Sequence, residues 1–172
     1  HPVAHSFPTR RSSDLGGNLM TASPAADLPP AMIAYGAKVR LIKDRAERWV
    51  PLEELFRAPG VTNIRDGEIL ADIEMHEPPP CSGARFFKLG TRKALQISIV
   101  NGACFLALNP SSGKIEKARV VLGAVAPTHV RSRSAENVLL GNIPNEELFQ
   151  EAGRAAVLDC NPIDDLRGSA GY

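Results

Sequence analysis

Hydrophobic and polar positions alternate in short runs along most of the chain and settle into helical spacing only near its end. Leu28-Pro29-Pro30-Ala31-Met32-Ile33-Ala34-Tyr35-Gly36-Ala37 predicts a short helix, with Asp27 at its cap, Pro29 or Pro30 in its first turn and Gly36 as the left-handed residue that ends it. Lys38-Val39-Arg40-Leu41-Ile42 alternates as a strand, Asp44-Arg45-Ala46-Glu47 supplies a turn, and Arg48-Trp49-Val50-Pro51 returns as the second strand of a hairpin. A short helix over Leu52-Glu53-Glu54-Leu55-Phe56 stops at Pro59-Gly60. Ile69, Ala71, Ile73 and Met75 then alternate as the inner face of a strand buried on one side. Leu70 breaks that alternation, so it faces either a neighbouring layer or a ligand.

Glu77-Pro78-Pro79-Pro80-Cys81-Ser82-Gly83 is a stiff, polyproline-like connector and marks a domain boundary. Beyond it the pattern predicts a three-stranded antiparallel meander. Its strands are Ala84 to Leu89, the long apolar run Ile97 to Leu108, and Ile115 to Val125. A turn at Gly90-Thr91-Arg92-Lys93 and a hairpin loop at Asn109-Pro110-Ser111-Ser112-Gly113 join them. Arg133 to Leu140 and Asn145 to Leu158 read as amphipathic helices, the second with Leu148, Ala152 and Ala155 on one face. A sheet followed by helices that cover it is an α+β unit.

Composition adds exclusions. With 172 residues, 44% of them hydrophobic and 23% charged, the chain can bury a core, and its net charge of +1 without long runs of one sign argues against a nucleic-acid partner. Its apolar segments of about a dozen residues are too short for a membrane span, and a cytoplasmic location is the expectation. Cys81, Cys104 and Cys160 are odd in number, far apart and without C-x-x-C spacing, which argues against a disulfide framework or a metal site in this chain. Residues 5–15 resemble the translation of a sequencing adapter, so residues 1–15 are set aside as non-native, with the natural chain expected to begin further upstream.

Few residues could carry chemistry. The run Gly16-Gly17-Asn18-Leu19-Met20-Thr21-Ala22-Ser23-Pro24-Ala25-Ala26-Asp27 has the composition of backbone that comes close to something, because glycines lack a Cβ and their amides can line an anion-binding concavity. The same residues also make an ordinary turn, and they match neither the dinucleotide fingerprint nor the P-loop. Lys88, inside the aromatic strand Phe86-Phe87-Lys88-Leu89, either addresses a flavin or phosphate or protects an edge strand from aggregation. His76 and His129 are isolated, so they read as solvated or core imidazoles, and Ser23 has no nearby base to make it a nucleophile. Capping and turn roles account for Asp159, Asp164 and Asp165.

Taken together, the Gly16 to Asp27 run, Gly67-Glu68-Ile69-Leu70, Phe87-Lys88-Leu89-Gly90-Thr91-Arg92, Leu122-Gly123-Ala124-Val125-Ala126-Pro127-Thr128 and Asp164-Asp165-Leu166-Arg167-Gly168-Ser169-Ala170 resemble the flavin (medium) subunit of molybdenum hydroxylases, the xanthine dehydrogenase and carbon monoxide dehydrogenase type. The resemblance implies an α+β chain. Residues 16–83 would form the second lobe of a vanillyl-alcohol-oxidase/PCMH-type FAD-binding domain, and residues 84–172 a C-terminal domain of a three-stranded antiparallel sheet with helices. It implies FAD as cofactor, with Gly16, Gly17, Asn18, Ser23, Asp27, Leu70 and Lys88 at the site and no catalytic or metal-binding side chain. It also implies two partners, a [2Fe-2S] iron–sulfur subunit that delivers electrons and a molybdopterin-binding large subunit, with NAD or a quinone-like compound as acceptor.

Two departures stand out. The family's earlier glycine-rich loop, which binds the pyrophosphate, has no counterpart before Gly16, and Asp14 replaces the usual small serine or threonine. The chain by itself is therefore expected to hold FAD weakly and to be inactive alone. The alternative is a non-catalytic assembly or docking protein that keeps the C-terminal fold.

Overall fold

The computed structural model describes residues 12–90, 97–164 and 169–171. The expected turn at Thr91-Arg92-Lys93 and the motif residues Asp165-Leu166-Arg167-Gly168 lie outside them. Three antiparallel sheets, one of them a small two-stranded hairpin, four α-helices and two 3-10 turns make up the described residues.

The first sheet has the order β2-β1-β5, built from β1 (Lys38–Lys43), β2 (Ala46–Pro51) and β5 (Ile69–Glu74). The β1–β2 hairpin falls where the alternation placed it, and Asp44 adopts φ 53° in its tight turn. Strand β5 differs from expectation. Arg40 pairs with Asp72 but Leu41 with Leu70, so Ala71 is an extra residue in a bulge. The bulge changes the inward face only on its Ile69 side: Ile73 packs against the core as expected, Leu70 takes the inward place there while Ile69 is 64% exposed, and Met75, past the end of the strand, is 53% exposed. The expected helix at Leu52 to Phe56 is a single 3-10 turn over Leu52–Glu54, after which Phe56 enters the small hairpin of β3 (Phe56–Ala58) and β4 (Val61–Thr62). Burial of Leu52, Leu55 and Phe56 outweighs continuation of the helix.

Helix α1 covers Ser12–Met20, beginning inside the segment set aside as non-native, and α2 covers Leu28–Ala34. Gly36, at φ 72°, ends α2 as expected, with its N–H donating to the Ile33 carbonyl (2.8 Å).

The second sheet runs β6-β7-β8-β9: β6 (Ser82–Leu89), β7 (Val100–Leu108), β8 (Ile115–Gly123) and β9 (Val130–Arg131). The expected meander is present, extended by the two-residue strand β9. In its hairpin loop Asn109 Oδ1 accepts from the N–H groups of Ser111 and Ser112, both at 3.0 Å. Helices α3 (Arg133–Leu139) and α4 (Glu146–Ala156) follow, capped by the side chains of Ser132 and Asn145. Asp159 reinforces α3 by accepting from Ser132 Oγ (2.7 Å) and from Ser134 N–H (3.0 Å).

Strand alternation makes β7 the hinge between two cores. Ala103, Phe105 and Ala107 join Met32, Ile33, Val39, Leu41 and Leu55 on one face. Leu106 and Leu108 face Leu122, Leu139 and Ala152 on the other. Helix α2 lies on the first face of β7 and β8, and that contact positions the site.

Candidate functional site

Asp27 occupies the N-cap of α2, yet its side chain caps nothing in that helix. Asp27 Oδ2 instead accepts from Lys88 Nζ at 2.5 Å, and Oδ1 accepts from Ser98 Oγ at 2.7 Å and Asn101 Nδ2 at 2.8 Å. Strand register explains the meeting. Lys88 on β6 lies directly opposite Asn101 on β7, and Asn101 lies opposite Gly123 on β8, so the three form one row across the sheet, pointing to the α2 face. Odd-numbered positions of β7 meet the body of α2 through Ala103 and Phe105, and Asn101 continues that face to the helix N-terminus.

Burial raises the Asp27 pKa, but the bonds from Lys88, Ser98 and Asn101 outweigh it and hold the carboxyl below the ordinary aspartate value. Asp27 is a carboxylate at neutral pH. Its side chain stays 43% exposed beside a Lys88 side chain that is 27% exposed, so the pair is open to a ligand from outside while Ser98 and Asn101 are buried behind it.

The other predicted residues sit as follows. Gly16, Gly17 and Asn18 lie within α1, not in a turn. The helix persists because Leu19 is fully buried in the core, and Thr21 closes the last turn by donating to the Gly17 carbonyl from N–H (3.0 Å) and Oγ1 (2.9 Å). A Cβ on Gly17 would meet nothing within 4 Å, and one on Gly16 would just touch Leu70 Cδ2 at 4.0 Å. The structure therefore brings Gly16 next to Leu70. Ser23 is half-buried, with its carbonyl accepting from Ala26 N–H (3.0 Å) in the turn that delivers Asp27. Pro24, next to it, accepts from Ala124 N–H (2.8 Å), which ties this turn to the end of β8.

Two polar recesses lie elsewhere. One of about 550 Å³ is lined by Lys43, Arg45, Arg48 and Asp66, and one of about 470 Å³ by Tyr35, Phe105 and Arg119, and none of the seven predicted residues lines either. Lys88 lies on β6, the edge strand of its sheet, and its ammonium is turned onto Asp27. Sequence reasoning missed Ser98 and Asn101. The available signal was a lone serine and a lone asparagine inside an otherwise apolar run, which must find partners when buried.

Residues 85–172 match the family described as the CO dehydrogenase flavoprotein C-terminal domain, and residues 4–77 match the FAD binding domain in molybdopterin dehydrogenase. The chain belongs to the flavin-subunit family of the molybdenum hydroxylases. Its relatives include the 6-hydroxypseudooxynicotine dehydrogenase complex subunit alpha of Paenarthrobacter nicotinovorans, 30% identical over 95% of this chain and 54% of that protein. The carbon monoxide dehydrogenase medium chain of Hydrogenophaga pseudoflava is 28% identical over 95% of this chain and 56% of that one. A solved carbon monoxide dehydrogenase from the same organism superposes with a TM-score of 0.83 at 31% identity, covering 92% of this chain and 54% of that one. The chain spans about half the length of these curated relatives. Its α+β fold is that of the medium chain, and the family's flavin is the group against which this surface is judged.

The residues present suit such a group. A flavin nucleotide carries hydroxyls, which donate, and carbonyl and phosphate oxygens, which accept. Asp27 Oδ2 and Lys88 Nζ offer one acceptor and one multiple donor side by side on an accessible edge.

Proposed function

We propose that this chain supplies one wall of the FAD site in the flavin subunit of a molybdenum hydroxylase. The Asp27–Lys88 pair is the observation that supports this reading most directly, because it leaves an N-cap unused in order to present a carboxylate and an ammonium together. Asp27 would accept from a ribityl or ribose hydroxyl, Lys88 would hold negative charge at the flavin edge, and Gly16, Gly17 and Asn18 would let the cofactor approach α1, with Ser23 and Leu70 in contact nearby. FAD held there would supply redox chemistry, linking [2Fe-2S] clusters of a partner subunit to NAD or a quinone-like acceptor. The molybdopterin subunit, not this chain, would then select the substrate.

The test is a flavin fluorescence titration of the purified chain and of Asp27→Asn and Lys88→Met. Weak binding that either substitution lowers at least tenfold is expected, the equivalent of one charge-assisted hydrogen bond. Affinity indifferent to both substitutions would defeat the reading, and flavin retained near stoichiometry by the chain alone would overturn its one-walled character.

A further inference from the structure

Asn101 is fully buried, and its amide nitrogen faces three oxygens: Asp27 Oδ1 (2.8 Å), the Ala26 carbonyl (3.1 Å) and Ser98 Oγ (3.1 Å). Two of these can only accept, and the Ser98 hydroxyl already donates to Asp27, so the network fixes which way the amide points. Turning it over would set oxygen against oxygen. The fixed orientation drives Asn101 Oδ1 onto Gly123, where it makes no hydrogen bond among the described residues. A Cβ on Gly123 would stand 2.1 Å from that oxygen. Gly123 is thus the floor that the asparagine needs in order to reach Asp27.

We propose that Asn101 and Ser98 are positioning residues for the flavin site, gripping Asp27 Oδ1 from the buried side so that Oδ2 and the Lys88 ammonium face outward as an acceptor and donor pair. Division of labour between the two carboxylate oxygens is the basis. Oδ1 takes both buried donors, whereas among the described residues Oδ2 takes only Lys88. A carboxylate oxygen has room for two bonds, so Oδ2 keeps one site for a ligand hydroxyl, and Lys88 keeps protons for a ligand oxygen. Without the grip, the side chain can rotate to cap α2, as its position invites, and the outward pair is lost. The inference rests on the flavin reading above for the identity of the ligand, but not for the grip itself.

The chain with labelled aspartate carboxyls allows Asp27 to be titrated by NMR in the wild type, Ser98→Ala, Asn101→Leu and Gly123→Ala. The midpoint is expected to rise in all three, with Ser98→Ala the smallest perturbation of the fold and Gly123→Ala displacing Asn101 without altering it. FAD affinity of the same proteins is expected to fall at least tenfold. It also becomes more acid-sensitive in Asn101→Leu, because the Asp27 carboxyl takes up its proton at a higher pH than in the wild type, a pH dependence that a purely structural asparagine would not create. An Asp27 midpoint unchanged in folded Ser98→Ala and Asn101→Leu overturns the proposal. If the midpoints move while Asp27→Asn leaves FAD affinity intact, the flavin reading fails and the grip stands.

Discussion

Asp27 and Lys88, 61 residues apart in sequence, meet through a carboxylate and an ammonium 2.5 Å apart where β6 passes the N-terminus of α2. Burial pushes the Asp27 pKa up, and the bonds from Lys88, Ser98 and Asn101 bring it below the ordinary 3.8. A folded value below the unfolded one means that the carboxylate stabilises the fold fully above the ordinary aspartate value, and that this is lost as pH falls through the lowered folded value. Asp27→Asn should therefore cost about 1 kcal/mol at neutral pH, a figure kept small by solvent screening of this half-exposed pair. The difference from wild type should close in strong acid. Urea unfolding at both pH values checks this, and an equal loss at each would remove the charge from the explanation.

His129 titrates in the opposite sense to a salt-bridged histidine. It is 7% exposed, packs edge-on against Phe56 with centroids 5.1 Å apart, and neither ring nitrogen makes a well-formed hydrogen bond among the described residues. Burial, only partly opposed by the nearby Ser23 backbone, lowers its pKa to about 4. Between that value and the ordinary 6.5 the unfolded chain binds a proton that the folded chain refuses, so stability falls as pH drops through this window. The loss amounts to about 3 kcal/mol. His129→Phe keeps a ring against Phe56 and should flatten the unfolding free energy across that window, measured by urea titration at a series of pH values.

What could be read from the sequence was local. The β1–β2 hairpin, the α2 terminus at Gly36 and the helices that start near Arg133 and Asn145 depend on neighbouring residues and on turn chemistry, and alternation or end signals reveal them. Lys88 drew attention because a cation in an aromatic strand is anomalous. Ser98 and Asn101 did not, since their role lies in Asp27, 71 and 74 residues away. The bulge at Ala71 was equally hidden: a one-residue slip in pairing exchanges the faces of β5 on its Ile69 side without changing its hydrophobic pattern. Residues Gly16 to Asn18 are helical for a reason no local propensity carries, namely that Leu19 is pulled into a core made by distant segments.

That anchoring gives a further expectation. Leu19 is 0% exposed and packs with residues of α2 and the first sheet, so Leu19→Ala should cost about 2–5 kcal/mol. The opening should be local first. Hydrogen exchange at the amides of Met20 and Thr21 is expected to accelerate more than exchange in β7 and β8. Uniform acceleration would show that α1 is no separate unit.

Glu136 joins the second sheet to the helices that cover it. Only 3% exposed, it accepts from Arg131 Nε (2.7 Å) and Nη2 (3.0 Å) and from the Val120 N–H of β8 (3.1 Å). Removing the carboxylate leaves a part-buried guanidinium with only its longer contact to Glu53 (3.5 Å) among the described residues and a backbone donor unpaired, and Glu136→Leu should cost about 3–5 kcal/mol. Adding Arg131→Met removes the stranded charge, so the double variant should be more stable than the sum of the two single losses predicts. The orphaned Val120 N–H keeps it below wild type by about 1–3 kcal/mol. A double-mutant cycle by urea unfolding reads the coupling, and additive losses would mean that Glu136 acts through Val120 alone.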